Sequence, residues 1–519
     1  MTVRAEPASG GRQGHLREFA RGGLIGLAGS VVAAAAGFVL TAVVARTLGP
    51  ARTGVFFSVV ALFMILTEVT ELGADTGLVR CAARLRALGR IAEVRRVLAA
   101  SLLPVLAVGV LTGSAVFAAA PWLAGLLADA PYRDEAETFL RLCAPFLAVS
   151  AARNVALSGT RGLGDMTSFT WQANVLTPVS RPLLILAVTW LGYGASTVML
   201  VWSVPIGVTF VVAVLVLWRL VRRLEREPVT TPATPREPGE PSAVREFWGF
   251  SGLRGVAAVL EIAVVWLGVP LVAAMASSHD AGVYATLGRF ITTGTLVLAA
   301  TRIAVGPQIA GLLARKERHE AEELNMVATA WVVAASWPLY LALAVFGPFV
   351  LTLFGDDFAD GADALAILAV TMAVVLATGN VQTVLLMGGK SSWNLLDKAI
   401  VVVVMLVAHV ALVPSFGVVG GAVAWSIAML LDGLLAVVQV RYLMGVRLRT
   451  RTLAPVMCWA VLWFGGLGLL LRALLGTSAP VFALYLVTAG AGYGLALYRQ
   501  RRVLHVDVMT AALRKGRSS

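Results

Sequence analysis

Long apolar segments separated by short polar ones run through almost the whole chain. Each apolar run approaches the roughly 20 residues that a helix needs to cross about 30 Å of hydrocarbon. The runs are continuous rather than alternating, which favours helices over the strands of a membrane barrel. The pattern therefore predicts an all-α integral membrane protein with about 14 transmembrane helices. The predicted spans are 24–45, 54–75, 97–119, 138–159, 169–190, 195–218, 250–275, 283–304, 326–352, 363–387, 395–413, 417–440, 452–475 and 479–498.

Composition and charge agree with a membrane protein and orient it. Of the 519 residues, 58% are hydrophobic and only 14% are charged, and the formal net charge is +13. With a cytoplasmic N terminus, most arginines fall in cytoplasmic segments, notably 80–96, 219–245 and the tail, whereas the outer loops are acidic. This is the bias that the positive-inside rule requires. We therefore predict that both termini are cytoplasmic and that the basic charge attracts anionic lipid rather than nucleic acid.

The two halves of the sequence resemble each other. Three pairs of short motifs match in order, and their members are separated by 228, 226 and 223 residues at Gly54/Gly282, Asn154/Asn380 and Trp202/Trp425. These matches predict two repeats of six spans each. Because six is even, both repeats have the same orientation, so we expect two parallel six-helix lobes related by an axis along the membrane normal.

This duplication gives the expected domain order. A Pro-rich, charged segment between the repeats is predicted to be too polar to pack. The last two spans have no counterpart in the duplication. The predicted segments are a cytoplasmic N-terminal segment 1–23, an N-lobe 24–222, a cytoplasmic Pro-rich linker 223–248, a C-lobe 249–443, two extra C-terminal helices 444–499 and a cytoplasmic basic tail 500–519.

Ionisable residues interrupt several predicted spans. A charged group at the membrane centre costs about 2.5–3.5 kcal/mol on insertion scales, so it normally faces a partner or a wet cavity. Arginine offers a permanent charge and a planar fork that suits phosphate oxygens, whereas carboxylates can take up protons or sodium ions. We therefore predict a central cavity that binds an anionic substrate. The substrate-binding candidates are Arg289, Arg181 and Arg254, and the ion-coupling or cavity acids are Glu68, Glu71, Asp75, Glu261 and Asp432.

Simpler interpretations stay open for some of these residues. Glu68, Glu71 and Asp75 are spaced i, i+3 and i+7 and are expected on one face of span two, where structural ion pairs would equally account for the glutamates. Residues near predicted helix ends are expected to reach the headgroups, and Asp432 could be a packed neutral acid. The residues near helix ends are Asp75, Arg141, Arg153 and Arg254.

The sequence predicts no cofactor. The three cysteines are far apart and show neither a disulfide framework nor metal-ligand spacing. No phosphate-binding GxxxxGK[ST] loop is present, so energy would come from an ion or substrate gradient.

Four stretches carry a family resemblance. They are "RTLGPARTGVFF", "ELGADTGLVR", "LFGDDFADGADALAILA" and "LVPSFGVVGGAVAWSIA". They resemble the polysaccharide-transporter branch of the multidrug/oligosaccharidyl-lipid/polysaccharide exporter superfamily. The resemblance implies a MATE-like, two-lobed flippase in the bacterial cytoplasmic membrane. It would move a polyprenyl-pyrophosphate-linked oligosaccharide to the outer leaflet, alongside a polysaccharide polymerase or glycosyltransferases, and Arg289 and Arg181 match its cationic cavity by position.

The sequence also departs from some relatives. Lipid-linked peptidoglycan precursor flippases of this superfamily use arginines in the first span, and the first span here has no charge, which counts against that substrate. Two alternatives stay open. An ion-coupled multidrug or organic-cation antiporter would usually stop at twelve spans and have an acid-dominated pocket. A polytopic glycosyltransferase or ligase should show a large outer loop with catalytic residues, and the longest outer loop here has no histidine.

Overall fold

The computed structural model describes residues 9–226, 239–388, 391–446 and 450–500, and this part of the chain is helical throughout, with no strand. Short 3-10 or π segments occupy Ala130–Tyr132, Trp171–Leu176, Asp356–Gly361, Val440–Met444 and Val461–Gly466. The α-helices are α1 Ser9–Glu71, α2 Ala74–Ala87, α3 Ile91–Leu127, α4 Arg133–Cys143, α5 Phe146–Gly162, α6 Met166–Thr170, α7 Thr177–Trp190, α8 Ala195–Arg226, α9 Ala243–Trp266, α10 Gly268–Met275, α11 Ser278–Thr293, α12 Thr295–Ala314, α13 Arg318–Leu351, α14 Ala362–Ala377, α15 Val381–Met387, α16 Ser391–Gln439, α17 Thr450–Ala460, α18 Leu467–Leu475 and α19 Ala479–Arg499.

Two of these helices each cover two predicted spans. In α1 the break falls at Gly49, whose φ of 74° only glycine adopts readily, and Pro50 follows it. In α16 the corresponding break is at Gly417, with φ of 51°. By length and composition the described residues contain 11 candidate spans, or 12 if a pair of helices bent by 44° is one span. The chain is therefore a multi-pass membrane protein, and the count of fourteen stays a prediction.

The chain forms two compact units, which we call unit 1 and unit 2. Unit 1 draws on Met1–Leu40, Leu66–Ala119 and Leu140–Ala258. Its core packs α2 and α8 against α5, with Leu78, Val155 and Leu217 among the buried side chains. Unit 2 draws on Thr41–Ile65, Ala120–Phe139 and Val259–Ser519. Unit 2 thus joins two parts of the predicted N-lobe to the predicted C-lobe, so the units do not coincide with the repeats.

The last two predicted spans pack onto α13 in unit 2. The Tyr493 hydroxyl donates a hydrogen bond to the Ala334 carbonyl at 3.1 Å. An Arg472 Nη donates to the Val345 carbonyl at 2.7 Å. These bonds satisfy polar groups that lipid would leave without a partner, so α17–α19 are attached to the body of unit 2.

The predicted linker is shorter and better anchored than its composition suggests. Helix α8 continues to Arg226 and α9 begins at Ala243, within the predicted range 223–248. Glu240 accepts two hydrogen bonds from the Arg90 guanidinium, at 2.9 and 3.0 Å. The expectation that this segment is too polar to pack is therefore wrong for its C-terminal end, because a bidentate ion pair holds it. Residues 227–238 lie outside the described residues.

Candidate substrate-binding and ion-coupling sites

Arg289 lies in α11 of unit 2, with its guanidinium over two aromatic rings. Its guanidinium carbon is 5.5 Å from the centroid of the Phe57 ring and 5.4 Å from that of Trp266. Its Nε donates a hydrogen bond to the Thr41 hydroxyl at 3.0 Å. The rings stabilise the cation through their negative faces. The bond to Thr41 fixes the plane of the guanidinium and leaves both Nη groups available.

No carboxylate among the described residues forms an ion pair with Arg289. An arginine within a membrane protein keeps its charge, so this site is a fixed positive charge without a protein counter-ion in that part of the chain. The free Nη hydrogens form the fork that binds two oxygens of a phosphate or carboxylate. The geometry therefore fits an anion better than a cation.

The three predicted acids of span two do meet, although not on one continuous helix. Helix α1 ends at Glu71, and Leu72 and Gly73 have φ values of 54° and 71°, so Asp75 belongs to α2. The nearest carboxylate oxygens of Glu68, Glu71 and Asp75 nevertheless lie within 4.8 Å of one another. The prediction that the three acids share one face of a single helix is wrong, because the helix is interrupted at Leu72 and Gly73. The acids nevertheless lie together. Asp75 is part of this cluster rather than a headgroup contact.

A hydrogen-bonded chain connects this acid cluster to Arg153. The Asn154 amide donates to Glu71 Oε1 at 2.7 Å, and Glu71 is only 2% exposed. Arg153 Nη2 donates to Asn154 Oδ1 at 2.8 Å. Its Nη1 lies 3.3 Å from the Thr177 hydroxyl and 3.4 Å from that of Thr209. The expectation that Arg153 reaches the headgroups is therefore wrong, and its link to Glu71 is not visible in the sequence.

The cluster has the ligand chemistry of a hard cation. Among the described residues, it is the group of acids, histidines and cysteines whose ligand atoms come close enough together to hold an ion. Its ligands are all carboxylate oxygens, which suit protons, sodium and other hard cations rather than zinc. One oxygen of Asp75 is buried without a hydrogen-bond partner, so the cluster is not fully satisfied by the protein.

The other two predicted arginines lie in unit 1. Arg181 Nε donates to the Trp202 carbonyl at 3.1 Å, and its guanidinium carbon is 4.0 Å from the centroid of the Trp202 ring. This stacking holds the side chain against α8. Arg254 is partly buried within α9. The structure thus brings Arg181 close to an aromatic ring, as it does for Arg289 in the other unit.

Asp432 is paired in unit 2 with residues that the sequence pattern does not single out. Lys398 Nζ lies 2.7 and 2.8 Å from its two carboxylate oxygens, and the Gln382 amide donates to it at 2.5 Å. Arg302 in turn donates to Gln382 at 3.1 Å. Glu261, which is partly buried in α9, also interacts electrostatically with Arg302. Asp432 is therefore a paired acid and not a packed neutral one.

The sequence and the fold match known proteins. The family model for polysaccharide biosynthesis proteins matches residues 19–313, more than half of the chain. A solved lipid II flippase MurJ in an inward closed conformation is similar at a TM-score of 0.72 and 10% identity, covering 93% of this chain and 99% of that one. An inward-facing multidrug resistance MATE family transporter is similar at 0.62 and 16% identity, covering 82% and 99%.

A MOP superfamily transporter from Pyrococcus furiosus has a TM-score of 0.58 and 17% identity, covering 82% of this chain and 95% of that one. No match was found among curated proteins. At these identities the solved structures establish the fold, which is that of the MurJ and MATE transporters, and the family model establishes the family. The chain belongs to the polysaccharide biosynthesis protein family.

Proposed function

We propose that this protein moves a polyprenyl-pyrophosphate-linked oligosaccharide, a precursor of a cell-surface polysaccharide, from the inner to the outer leaflet by alternating access. The observation that carries the proposal is Arg289, a fixed cation over two aromatic rings without a protein counter-ion among the described residues. A pyrophosphate supplies the missing negative charge, and its oxygens match the two free Nη groups of the fork. Transport of this kind needs no covalent step.

Arg181 and Arg254 are the candidate substrate-binding cations of unit 1. Arg181 is held against the buried ring of Trp202 in unit 1, and its guanidinium would bind oxygens of an anionic headgroup. Arg254 would add positive charge from α9. The polyprenyl chain would stay in the bilayer, since burying it in a polar cavity would forfeit about 0.8 kcal/mol for each methylene removed from lipid.

The acid cluster is the proposed site of ion coupling. At an effective dielectric constant near 20, two unit charges about 5 Å apart repel by about 3 kcal/mol. Glu68, Glu71 and Asp75 are within 4.8 Å of one another, so three negative charges there are costly. A proton or sodium ion relieves this repulsion. Movement of that ion down its gradient would then drive the return of the empty transporter.

The proposed location is the bacterial cytoplasmic membrane, with both termini in the cytoplasm. The arginine-rich cytoplasmic segments and acidic outer loops support this orientation. It places the substrate's starting leaflet on the side where lipid-linked saccharides would be assembled. A polymerase that joins the exported units would then act on the outer side.

Deletion of the gene, with restoration of the wild-type gene as the control, tests the proposed function. Membrane polyprenyl-pyrophosphate-linked saccharides are quantified, and their accessibility from outside the cell is measured. Accumulation of a complete, inaccessible repeat unit is expected. An unchanged pool would contradict the proposal and favour the multidrug antiporter, whereas accessible but unpolymerised units would indicate a polymerase or ligase.

A further inference from the structure

Two glycines from different halves of the sequence face each other in unit 2. Gly54 lies in α1 and Gly282 in α11, and they are a repeat-related pair in the sequence. A Cβ placed on Gly54 would lie 2.7 Å from the Gly282 nitrogen and still closer to the Ser278 carbonyl oxygen. A Cβ on Gly282 would lie 2.8 Å from the Gly54 nitrogen and closer still to the Pro50 carbonyl oxygen. We call this contact the glycine crossing.

The atoms that an added Cβ would meet first at the crossing belong to the backbone. Carbon atoms normally contact heavy atoms at about 3.5–4.0 Å, and a backbone carbonyl cannot rotate away as a side chain can. Any residue other than glycine at either position therefore forces the two helices apart. Gly288, further along α11, offers a matched control, because a Cβ added there would have no heavy atom of a neighbouring residue within 4 Å.

A second contact joins the same two halves next to the crossing. The Ser278 backbone nitrogen donates to Asp129 Oδ2 at 2.9 Å, and the Asp129 backbone nitrogen donates to the Ser278 hydroxyl at 3.0 Å. An open cleft of about 520 Å³ borders this region, and its lining includes Pro50 and His279. Beyond the crossing, Ser58 is fully buried. Accessibility of Ser58 therefore reports on whether the crossing is intact.

We propose that the glycine crossing and the Asp129–Ser278 contact form the outer gate of the transporter. This inference rests on the proposed function, because alternating access requires the two repeats to separate on the outer side. Residues 41–65 and 120–139 come from the first repeat, yet they pack in unit 2 with helices of the second. Glycines at the crossing let the two helix backbones approach closely, which is the small-residue packing typical of contacts between membrane helices. Both contacts are formed in the structure, so the gate is closed.

Thiol labelling at Ser58 measures opening of the gate without requiring transport. The three native cysteines are first replaced by alanine, and Ser58→Cys is labelled from outside with a membrane-impermeant maleimide. Gly54→Ala and Gly282→Ala should each raise the labelling rate by about tenfold or more, since they shift the closed population toward the open one. Gly288→Ala should leave the rate unchanged. A Gly54→Ala protein that is folded by size exclusion, and whose Ser58→Cys labels no faster than in the protein with Gly54 intact, would overturn the gate.

A crosslink tests the gate with both glycines intact, so this test does not depend on whether the glycine variants fold. The double variant Asp129→Cys/Ser278→Cys is oxidised in membranes. We expect the disulfide to stop export of the lipid-linked saccharide and a reductant to restore it. Complete crosslinking with unchanged export would overturn the gate. Absence of export in the uncrosslinked wild-type protein would instead count against the proposed function, and the Ser58 labelling would still report on the gate.

Discussion

Replacing Arg289 by alanine should remove the anchor of the pyrophosphate headgroup. The Nε of Arg289 is already used by Thr41, which leaves the two Nη groups for substrate. A hydrogen bond to a charged group is worth about 1.5–3 kcal/mol, so losing a bidentate pair should cost about 3 kcal/mol at the least. Because 1.4 kcal/mol is a factor of ten, the affinity should fall roughly 100-fold.

The assay is binding of a short-chain polyprenyl-pyrophosphate saccharide to detergent-purified protein. Arg289→Lys keeps the charge but loses the planar fork, so its affinity should fall between those of the wild type and Arg289→Ala. The matched control is Arg472→Gln, which should bind like the wild type. Arg472 lies on the appended helices, donates to the Val345 carbonyl and belongs to neither candidate site.

The order of affinities among these variants distinguishes the possible roles of Arg289. Equal affinity in wild type and Arg289→Ala, with both proteins folded, would show that Arg289 does not bind the pyrophosphate. A similar loss of affinity in Arg472→Gln would show that removing an arginine outside the site also weakens saccharide binding. A loss in Arg289→Lys as large as in Arg289→Ala would mean that charge alone contributes nothing, and no loss in Arg289→Lys would mean that only charge matters; either result contradicts the expected intermediate affinity.

Three further changes test other parts of the molecule. Glu71→Gln should abolish acceleration of transport by an imposed proton or sodium gradient but leave saccharide affinity unchanged; persistent acceleration would exclude the acid cluster from coupling. Asp432→Asn leaves the Lys398 charge without its partner, so it should lower the free energy of unfolding by about 3 kcal/mol, measured by thermal unfolding. Adding Lys398→Met should recover most of the lost stability. A Cβ on Gly255 would lie 2.7 Å from a backbone carbonyl carbon between α1 and α2. Gly255→Ala should therefore push α9 away and increase maleimide labelling of the buried Cys81 on α2. Labelling equal to that of the wild type would contradict this.

The helical fold can be predicted because lipid leaves the backbone few choices. A long apolar run must be helical, and the arginine bias must follow the membrane sides. Repeat-related residues also make specific contacts in the structure. Gly54 and Gly282 meet directly. Asn154 donates a hydrogen bond to Glu71 in the first repeat. Asn380 donates one, at 3.2 Å, to a hydroxyl on the equivalent helix of the second repeat.

The sites are harder to predict, because a charge's partners depend on packing between distant helices. The spacing of the acids in span two indicates their cluster, although the break at Leu72 is not visible in the hydropathy pattern. Lys398 stands near the start of a predicted span, where hydropathy alone makes it a terminal charge. Only its distance of 2.7 Å from Asp432 shows that it neutralises a buried acid. Arg153 likewise stands near a predicted helix end, and only its bonds show that it points into the protein.

Transport in a purified system would show whether this protein is a flippase. The protein is reconstituted into vesicles carrying a polyprenyl-pyrophosphate saccharide, and the fraction of saccharide accessible to an impermeant lectin on the opposite leaflet is followed with time. We predict that wild-type protein moves the saccharide faster than Arg289→Ala protein and faster than protein-free vesicles. The proposed function would be contradicted if folded wild-type protein moved the saccharide no faster than protein-free vesicles do and exported organic cations instead.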